Sequence, residues 1–323
     1  MATALASLMS LQAARLTSHR SPIDRLTRLE AFLGKGCPRL HIKRDDLLGF
    51  GGGGNKVRKL DVLVSDALRA GADTLITCGA QQSNHARVTA AAGSVSGLRV
   101  ILVLNGDRPE RPTGNLKLDA LFGAEVHLVA SRQLRDAAME AVAADVRAAD
   151  GTPYVIPVGG STALGAMGFA RGVAEVSAAG LRPRLIVHAS SSGGTQAGLI
   201  AGCALLGLDS QVVGVSADEP SGALTARVSV LLDEIASRLG ARRDSIAGPH
   251  PIDVDDRHVG EGYGISTAEA QEATLLLARR EGIILDPVYT AKAMAGLIAR
   301  IRSGSIPPDA DVLFWHTGGL HDQ

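Results

Sequence analysis

Short runs rich in Val, Ile and Leu alternate with Ala-rich segments of helical period along almost the whole 323-residue chain, and no other feature restricts the fold as much. Strands are expected at Leu40–Lys43, Thr74–Cys78, Val100–Leu104, Glu125–Val129, Tyr154–Pro157, Leu185–Ala189, Gln211–Val215 and Val312–His316. Helices are expected near Val57–Ala70, Asn84–Val95, Asn115–Phe122, Arg132–Ala149, Ala163–Ala178, Gln196–Leu206, Leu224–Leu239, Ala268–Glu281 and Ala291–Arg302. Strands joined through helices pair in parallel with right-handed crossovers, which gives open twisted α/β sheets covered on both faces. Hydrophobic residues make up 46% of the chain and aromatic residues only 3%, so the core must be built from Ala, Val, Leu and Ile. The length allows one large or two medium domains. No repeat, low-complexity tract or linker marks a boundary, so any division has to follow from topology. Ligands of such sheets sit at the carboxyl ends of strands, and the loops there are rich in Gly, Ser, Thr and Asn.

A formal net charge of zero supplies no long-range field for nucleic acid or an anionic membrane surface, which leaves a small-molecule substrate as the expected partner. Cys37, Cys78 and Cys203 lie far apart, without C-x-x-C or Cys/His ligand spacing, so neither a disulfide framework nor a metal site is expected. The first residues are mildly apolar but lack a basic n-region, and no later run approaches the roughly 18 apolar residues of a membrane span. A cytoplasmic protein is expected. The chain has six lysines against 27 arginines. A lysine in a glycine-rich loop is then a candidate for chemistry that only a primary amine performs, since guanidinium forms no Schiff base.

Three loops could carry chemistry. In Gly51-Gly52-Gly53-Gly54-Asn55-Lys56 the glycines let the backbone approach a ligand closely. The pattern is not a P-loop, and a flexible turn with a surface lysine accounts for it equally well. Gln81-Gln82-Ser83-Asn84-His85 follows an apolar strand and opens a helix, whose free N–H groups suit a carboxylate or phosphate. Ser and Asn also favour an ordinary N-cap there, and no G-x-S-x-G elbow supports a Ser83/His85 hydrolytic pair. Ser190-Ser191-Ser192-Gly193-Gly194-Thr195 brings consecutive N–H groups, hydroxyls and a helix dipole to one point, an anion cup suited to a phosphate monoester rather than a dinucleotide. Tyr263 and Tyr289 lie in Gly- or Pro-bounded loops, and Thr317 ends the last apolar strand.

Together the segments GGNKVRKL, QSNHAR, IPVGGSTALGAMG, SSSGGTQAG, EGYG, LDPVYTAKAMAGLI and HTGG resemble, in order and over nearly the whole chain from about Ser21, the D-cysteine desulfhydrase and 1-aminocyclopropane-1-carboxylate deaminase family of fold-type II pyridoxal-phosphate enzymes. The resemblance implies a tryptophan synthase β-like fold, with a large domain of residues 1–58 and 166–323, a small domain of residues 59–165, and a homodimer. It makes Lys56 the Schiff-base lysine and places the pyridoxal 5′-phosphate phosphoryl group at Ser192, Gly193, Gly194 and Thr195 with Lys59 nearby. Asn84 would face the ring hydroxyl and Thr317 the pyridine nitrogen. Ser83 would lie beside the substrate carboxylate, and Tyr263 and Tyr289 would flank the reacting carbon. Such a cofactor supplies the electron sink, and the protein holds it and provides the base.

The family's cyclopropane-opening deaminases carry Glu after the second tyrosine, Leu before the final Gly-Gly, and Gln in place of His85. Thr290, Thr317 and His85 therefore point to desulfhydrase-like β-elimination, with Thr290 and His85 at the substrate. L-Cysteate sulfo-lyases share QSNHAR, EGYG and HTGG and stand as the alternative. A non-catalytic phosphate-ligand sensor is the reading from a different class, since fold alone does not prove activity. A nucleotide-dependent oxidoreductase is disfavoured by the lack of a dinucleotide fingerprint. The glycine run before Asn55 is longer than the family's usual pair.

Overall fold

The computed structural model describes residues 2–319 and contains two sheets. The larger runs in the order β1 (Ile23–Arg25), β2 (Arg39–Arg44), β10 (Asp311–His316), β7 (Leu185–Ser190), β8 (Gln211–Ser216) and β9 (Asp253–Asp255). The smaller runs β5 (Glu125–Val129), β4 (Arg99–Asn105), β3 (Thr74–Ala80) and β6 (Pro153–Ile156). Every pairing is parallel except that of β1 with β2. All the expected strands and helices are present, those at Glu125–Val129, Ala163–Ala178 and Ala268–Glu281 with the expected bounds and the others with shifted ends. The central strand β7 is buried at every residue, His188 and Ser190 included, which is why it lacks the apolar/polar alternation of a half-exposed strand. Sequence reading missed β1, β9 and the helices α1 (Ala2–Met9), α2 (Thr27–Leu33) and α10 (Arg243–Ala247). These are too short to show a period, and the edge strands β1 and β9 are largely charged.

Three helices form the block that later carries the site: α3 (Lys56–Arg69), α7 (Ala163–Ala178) and α8 (Gly194–Leu205). Their backbones touch through glycines. A Cβ on Gly168 would lie 2.1 Å from the Arg58 carbonyl oxygen of α3, and one on Gly198 would lie 2.0 Å from the Ala166 carbonyl oxygen of α7. Neither site tolerates a methyl group without moving a helix. Gly168→Ala is therefore expected to lower stability by about 1–3 kcal/mol, the usual cost of overpacking, despite alanine's better helix propensity. A urea titration checks this, and an unchanged or raised midpoint would contradict the packing. The expected domain boundaries both fall within helices of this block, 58/59 inside α3 and 165/166 inside α7. Below its first turn α3 packs into the core of the smaller sheet, where Leu60 and Leu63 join Leu75 and Leu102.

A buried ionic knot ties the block to the larger sheet. Asp45, fully buried after β2, accepts from Arg58 Nε at 2.7 Å and Nη2 at 2.8 Å, from Ser21 Oγ at 2.7 Å and from Trp315 Nε1 of β10 at 2.7 Å. Arg58 also donates to Glu175 of α7, and Lys43 Nζ joins Glu175 at 2.7 Å to the Ser21 carbonyl at 2.6 Å. Burial pushes the Asp45 carboxyl upward, but the Arg58 charge and the donors around it prevail and hold it below its ordinary value.

Candidate active site

The C-terminal edges of the two sheets face a cavity of about 320 Å³. Lys56 enters it from the first position of α3. The approach is set by the glycine run: Gly54 has φ +100°, and a Cβ there would lie 3.2 Å from the Thr317 carbonyl oxygen, which itself accepts from Asn55 N at 2.8 Å. The lysine is thereby moored to the end of β10. Lys56 Nζ makes no hydrogen bond among the described residues, and burial lowers its pKa to about 8. An amine without a partner in a cavity, with a neutral form accessible near physiological pH, is poised for nucleophilic or base chemistry.

The anion cup lies at the start of α8, and Ser192, Gly193 and Thr195 line the same cavity as Lys56. Gly193 has φ +78°, the left-handed region that turns successive N–H groups inward. Gly194 must be glycine, because a Cβ would meet Ser161 Oγ at 2.6 Å and Lys59 Nζ at 2.8 Å. Lys59 stands behind the cup rather than in the cavity wall. It is fully buried and donates to the Gly159 carbonyl and to Ser161 Oγ, both at 2.9 Å, and Ser161 Oγ meets Ser192 Oγ at 2.7 Å. Burial, with the Lys56 charge second, pushes Lys59 well below its ordinary pKa. An anion in the cup would restore its ammonium form.

The opposite wall comes from the start of α4 (Asn84–Ser96). Ser83 is its N-cap and accepts from Ala86 N at 3.2 Å, so its hydroxyl proton remains free for a ligand. Asn84 Oδ1 accepts from Arg87 Nη1 at 3.2 Å and from Asn115 Nδ2 at 3.1 Å. The oxygen is thus engaged by two donors, and Nδ2 is left as the atom that offers hydrogen bonds to the cavity. His85 is buried in the wall. The Thr77 hydroxyl donates to the Ile156 carbonyl at 2.7 Å, so its 2.8 Å contact with His85 Nε2 is an N–H donated by the ring, and Nδ1 is a bare acceptor with no partner among the described residues. Burial, then Lys56 and Lys59, hold this imidazole well below its ordinary pKa, in the neutral form.

Across from Lys56 the Tyr263 and Tyr289 hydroxyls meet at 2.6 Å, their rings 5.9 Å apart and nearly perpendicular. Burial, then Tyr263, raise Tyr289 well above its ordinary pKa, so this phenol keeps its proton. Thr317 also lines the cavity, whereas Thr290 does not: it is fully buried at the start of α12 (Thr290–Arg302), with its hydroxyl donating to Asp286 Oδ1 at 2.6 Å. The Asp286 carboxylate also accepts from the backbone N–H of Val288, Tyr289 and Thr290. Thr290 thereby shapes the turn that carries Tyr289 instead of reaching a ligand.

Sequence reading missed a charged rim. Glu219, which follows β8, accepts from Arg132 at 2.8 Å and Arg227 at 3.2 Å, and all three line the cavity with Arg135 and Asp218. Arg132 follows β5 of the smaller sheet, so this clasp bridges the two sheets. Asp218 and Glu219 sit at a strand's carboxyl end, the one signal that could have flagged them. The three arginines lie on helices or turns remote in sequence. Among the described residues no group of three or more His, Cys, Asp or Glu side chains could hold a metal ion, and no helix is long and apolar enough to cross a membrane.

A lone amine, a phosphate-sized cup braced by a buried lysine, and an amide offering only its N–H groups fit a phosphorylated aromatic aldehyde. The chain belongs to the pyridoxal-phosphate dependent enzymes, whose family model matches residues 15–318. It is a fold-type II enzyme and uses pyridoxal 5′-phosphate. Within that class it is 41% identical over 309 residues to the D-cysteine desulfhydrase of Salmonella choleraesuis (strain SC-B67), an alignment covering 93% of this chain and 91% of that protein. The D-cysteine desulfhydrase of Salmonella newport (strain SL254) is 40% identical over the same span. The crystal structure of an ACC deaminase homologue superposes with a TM-score of 0.90 at 37% identity, covering 99% of this chain and 96% of that one. A pyridoxal 5′-phosphate-dependent aspartate racemase, at 15% identity and a TM-score of 0.71 over 100% of this chain and 96% of that one, shares the fold.

Proposed function

We propose that the enzyme eliminates the β-substituent of a small amino acid, with D-cysteine converted to pyruvate, ammonia and hydrogen sulfide. The observation that carries this reading is the shared cavity in which an unpartnered Lys56, the Ser192–Thr195 cup and the Tyr263/Tyr289 pair all take part. When bound, pyridoxal phosphate supplies an electron sink for the carbanion formed at the substrate α-carbon. Lys56 would hold the cofactor through its aldehyde, and its neutral amine would serve as the acceptor of the substrate α-proton. Ser83 and the open N–H groups at the start of α4 receive the substrate carboxylate. Asn84 Nδ2 would donate to the ring oxygen, and the Thr317 hydroxyl would face the ring nitrogen. A hydroxyl there would not enforce protonation of the ring as a carboxylate would, which would favour expulsion of the leaving group. The tyrosine pair keeps its phenolic protons, so one of them can be handed to the departing sulfur. An ordinary thiol has a pKa of about 8.5, and such a leaving group needs little more help than this.

His85 and Thr317, which distinguish the chain from cyclopropane-opening relatives, and the D-cysteine desulfhydrases at about 40% identity support this substrate over L-cysteate or a cyclopropane amino acid. Family resemblance likewise supports a cytoplasmic homodimer. The deciding measurement is a panel assayed with the cofactor-loaded enzyme. Pyruvate is expected from D-cysteine and β-chloro-D-alanine. Turnover confined to L-cysteate, or α-ketobutyrate from 1-aminocyclopropane-1-carboxylate, would reverse the assignment.

A further inference from the structure

Arg87 is fully buried on the first turn of α4, yet it belongs to neither the cup nor the cavity wall. Its guanidinium spans two of the loops that build the site. Nη2 donates to the Gly53 carbonyl at 2.7 Å, and Nη1 donates to Asn84 Oδ1 at 3.2 Å and Asn115 Oδ1 at 2.9 Å. Asn115, on α5 (Gly114–Leu121), closes the circuit by donating from Nδ2 to Asn84 Oδ1 at 3.1 Å and to the Gln82 carbonyl at 2.7 Å. The long glycine run is explained by the same contacts. A Cβ on Gly51 would lie 2.7 Å from Ala91 Cβ, and one on Gly52 would lie 3.4 Å from Arg87 Cζ, so the extra glycines wrap over the α4 surface that Arg87 and Ala91 form. Gly53 is pinned from the other side, with a Cβ position 2.9 Å from the Asp46 carbonyl oxygen.

We infer that Arg87 is a positioning residue that locks the Lys56 loop and the Asn84 amide into one unit, so that the amine and the hydrogen-bond donor to the cofactor ring keep a fixed separation. The geometry allows no other orientation of Asn84: two donors hold Oδ1, and a flipped amide would place N–H groups against the Arg87 guanidinium. A buried guanidinium also needs a counter-charge. Burial lowers the Arg87 pKa to about 10, opposed by the nearby Asp119 of α5, whose own carboxyl is fully buried, has neither oxygen hydrogen-bonded among the described residues and is itself raised by burial to about 7. A planar fork is required for this task, because a lysine ammonium cannot reach the Gly53 carbonyl and two amide oxygens in one plane.

The inference rests on the reading that Lys56 bears the cofactor, and the test separates the two. Wild type, Arg87→Gln, Arg87→Lys, Asn84→Ala and the Arg87→Gln/Asn84→Ala double variant are titrated with pyridoxal phosphate. Dissociation constants and the visible absorbance of the bound cofactor are recorded, together with urea unfolding of the cofactor-free proteins. If wild type gives no lysine-bound absorbance, the reading of Lys56 fails and takes the inference with it. With wild type normal, Arg87→Gln and Arg87→Lys are each expected to weaken cofactor binding at least about tenfold and to shift the absorbance maximum. Arg87→Gln is expected to cost less in the Asn84→Ala background. Unchanged affinity and spectrum, or strictly additive losses, overturn the inference. Should Arg87→Gln not fold, Asn115→Ala, which leaves Arg87 and Asp119 in place, decides through the same spectrum: a shift supports the circuit and an unaltered band overturns it.

Discussion

Lys56→Ala is expected to remove the visible absorbance of the bound cofactor and to lower turnover of the preferred substrate by at least about 10³-fold, since under the proposed mechanism one group is lost that both anchors the aldehyde and moves the α-proton. Lys56→Arg should be equally inactive, because guanidinium restores the charge but forms no Schiff base. Residual cofactor binding should persist in both, held by the cup of Ser192, Gly193 and Thr195, which these substitutions leave intact. The pH dependence follows from burial of the amine, which lowers its pKa to about 8. Capture of free cofactor by the cofactor-free enzyme requires the unprotonated amine. Its rate should therefore rise with pH through about 8 and level off above it, well short of the range of an ordinary lysine. Stopped-flow absorbance and a pyruvate assay measure these effects. A Lys56→Ala protein that retains both colour and turnover would remove Lys56 from the chemistry altogether.

Asp45→Ala is expected to cost about 3–5 kcal/mol of stability, the usual loss when one partner of a buried ion pair is removed. The reason is what would be stranded. The Arg58 guanidinium would keep Glu175 but lose its bonds to Asp45, while Trp315 Nε1 and the Ser21 hydroxyl would lose their acceptor. The same carboxylate imposes an acid limit. Its pKa is held below the ordinary 3.8 in the folded state, so the stability it contributes is present above that value and is lost as pH falls through its lower folded value. Denaturant midpoints recorded as pH falls below 3.8 should drop more steeply for the native protein than for Asp45→Asn. Near-native stability of Asp45→Ala at neutral pH would show that the knot contributes specificity rather than free energy.

Both predictions rest on residues of very different visibility in the sequence. Lys56, Ser83, Asn84, Thr195 and Thr317 were legible because chemistry in a parallel sheet gathers at strand ends, where glycines and small hydroxyl residues stand out against apolar runs. Asp45, Arg58 and Glu175 were invisible for the opposite reason: each looks like an ordinary surface charge until the fold joins Asp45 and Glu175 through Arg58 beneath Trp315. The same holds for Arg132, Arg227 and Glu219, which meet only across the two sheets. Thr290 shows where position along the chain is insufficient. It follows Tyr289 directly, but the first turn of α12 directs its hydroxyl to Asp286 and away from the cavity. The short edge strands β1 and β9 escaped notice because three residues carry no period.

The glycine contacts among α3, α7 and α8 imply an asymmetry in how this enzyme could change its substrate. Lys56 and the cup stand on α3 and α8, each of which abuts α7 through a glycine, so that side of the cavity has little slack. The facing loop is built differently: Gly262 and Gly264 have open space where a Cβ would stand but φ of +146° and +79°, so the backbone rather than packing calls for glycine there, and Tyr263 is 44% exposed between them. Side-chain change at the exposed Ile265, rather than at the glycines, is what this segment can take without backbone strain or lost packing.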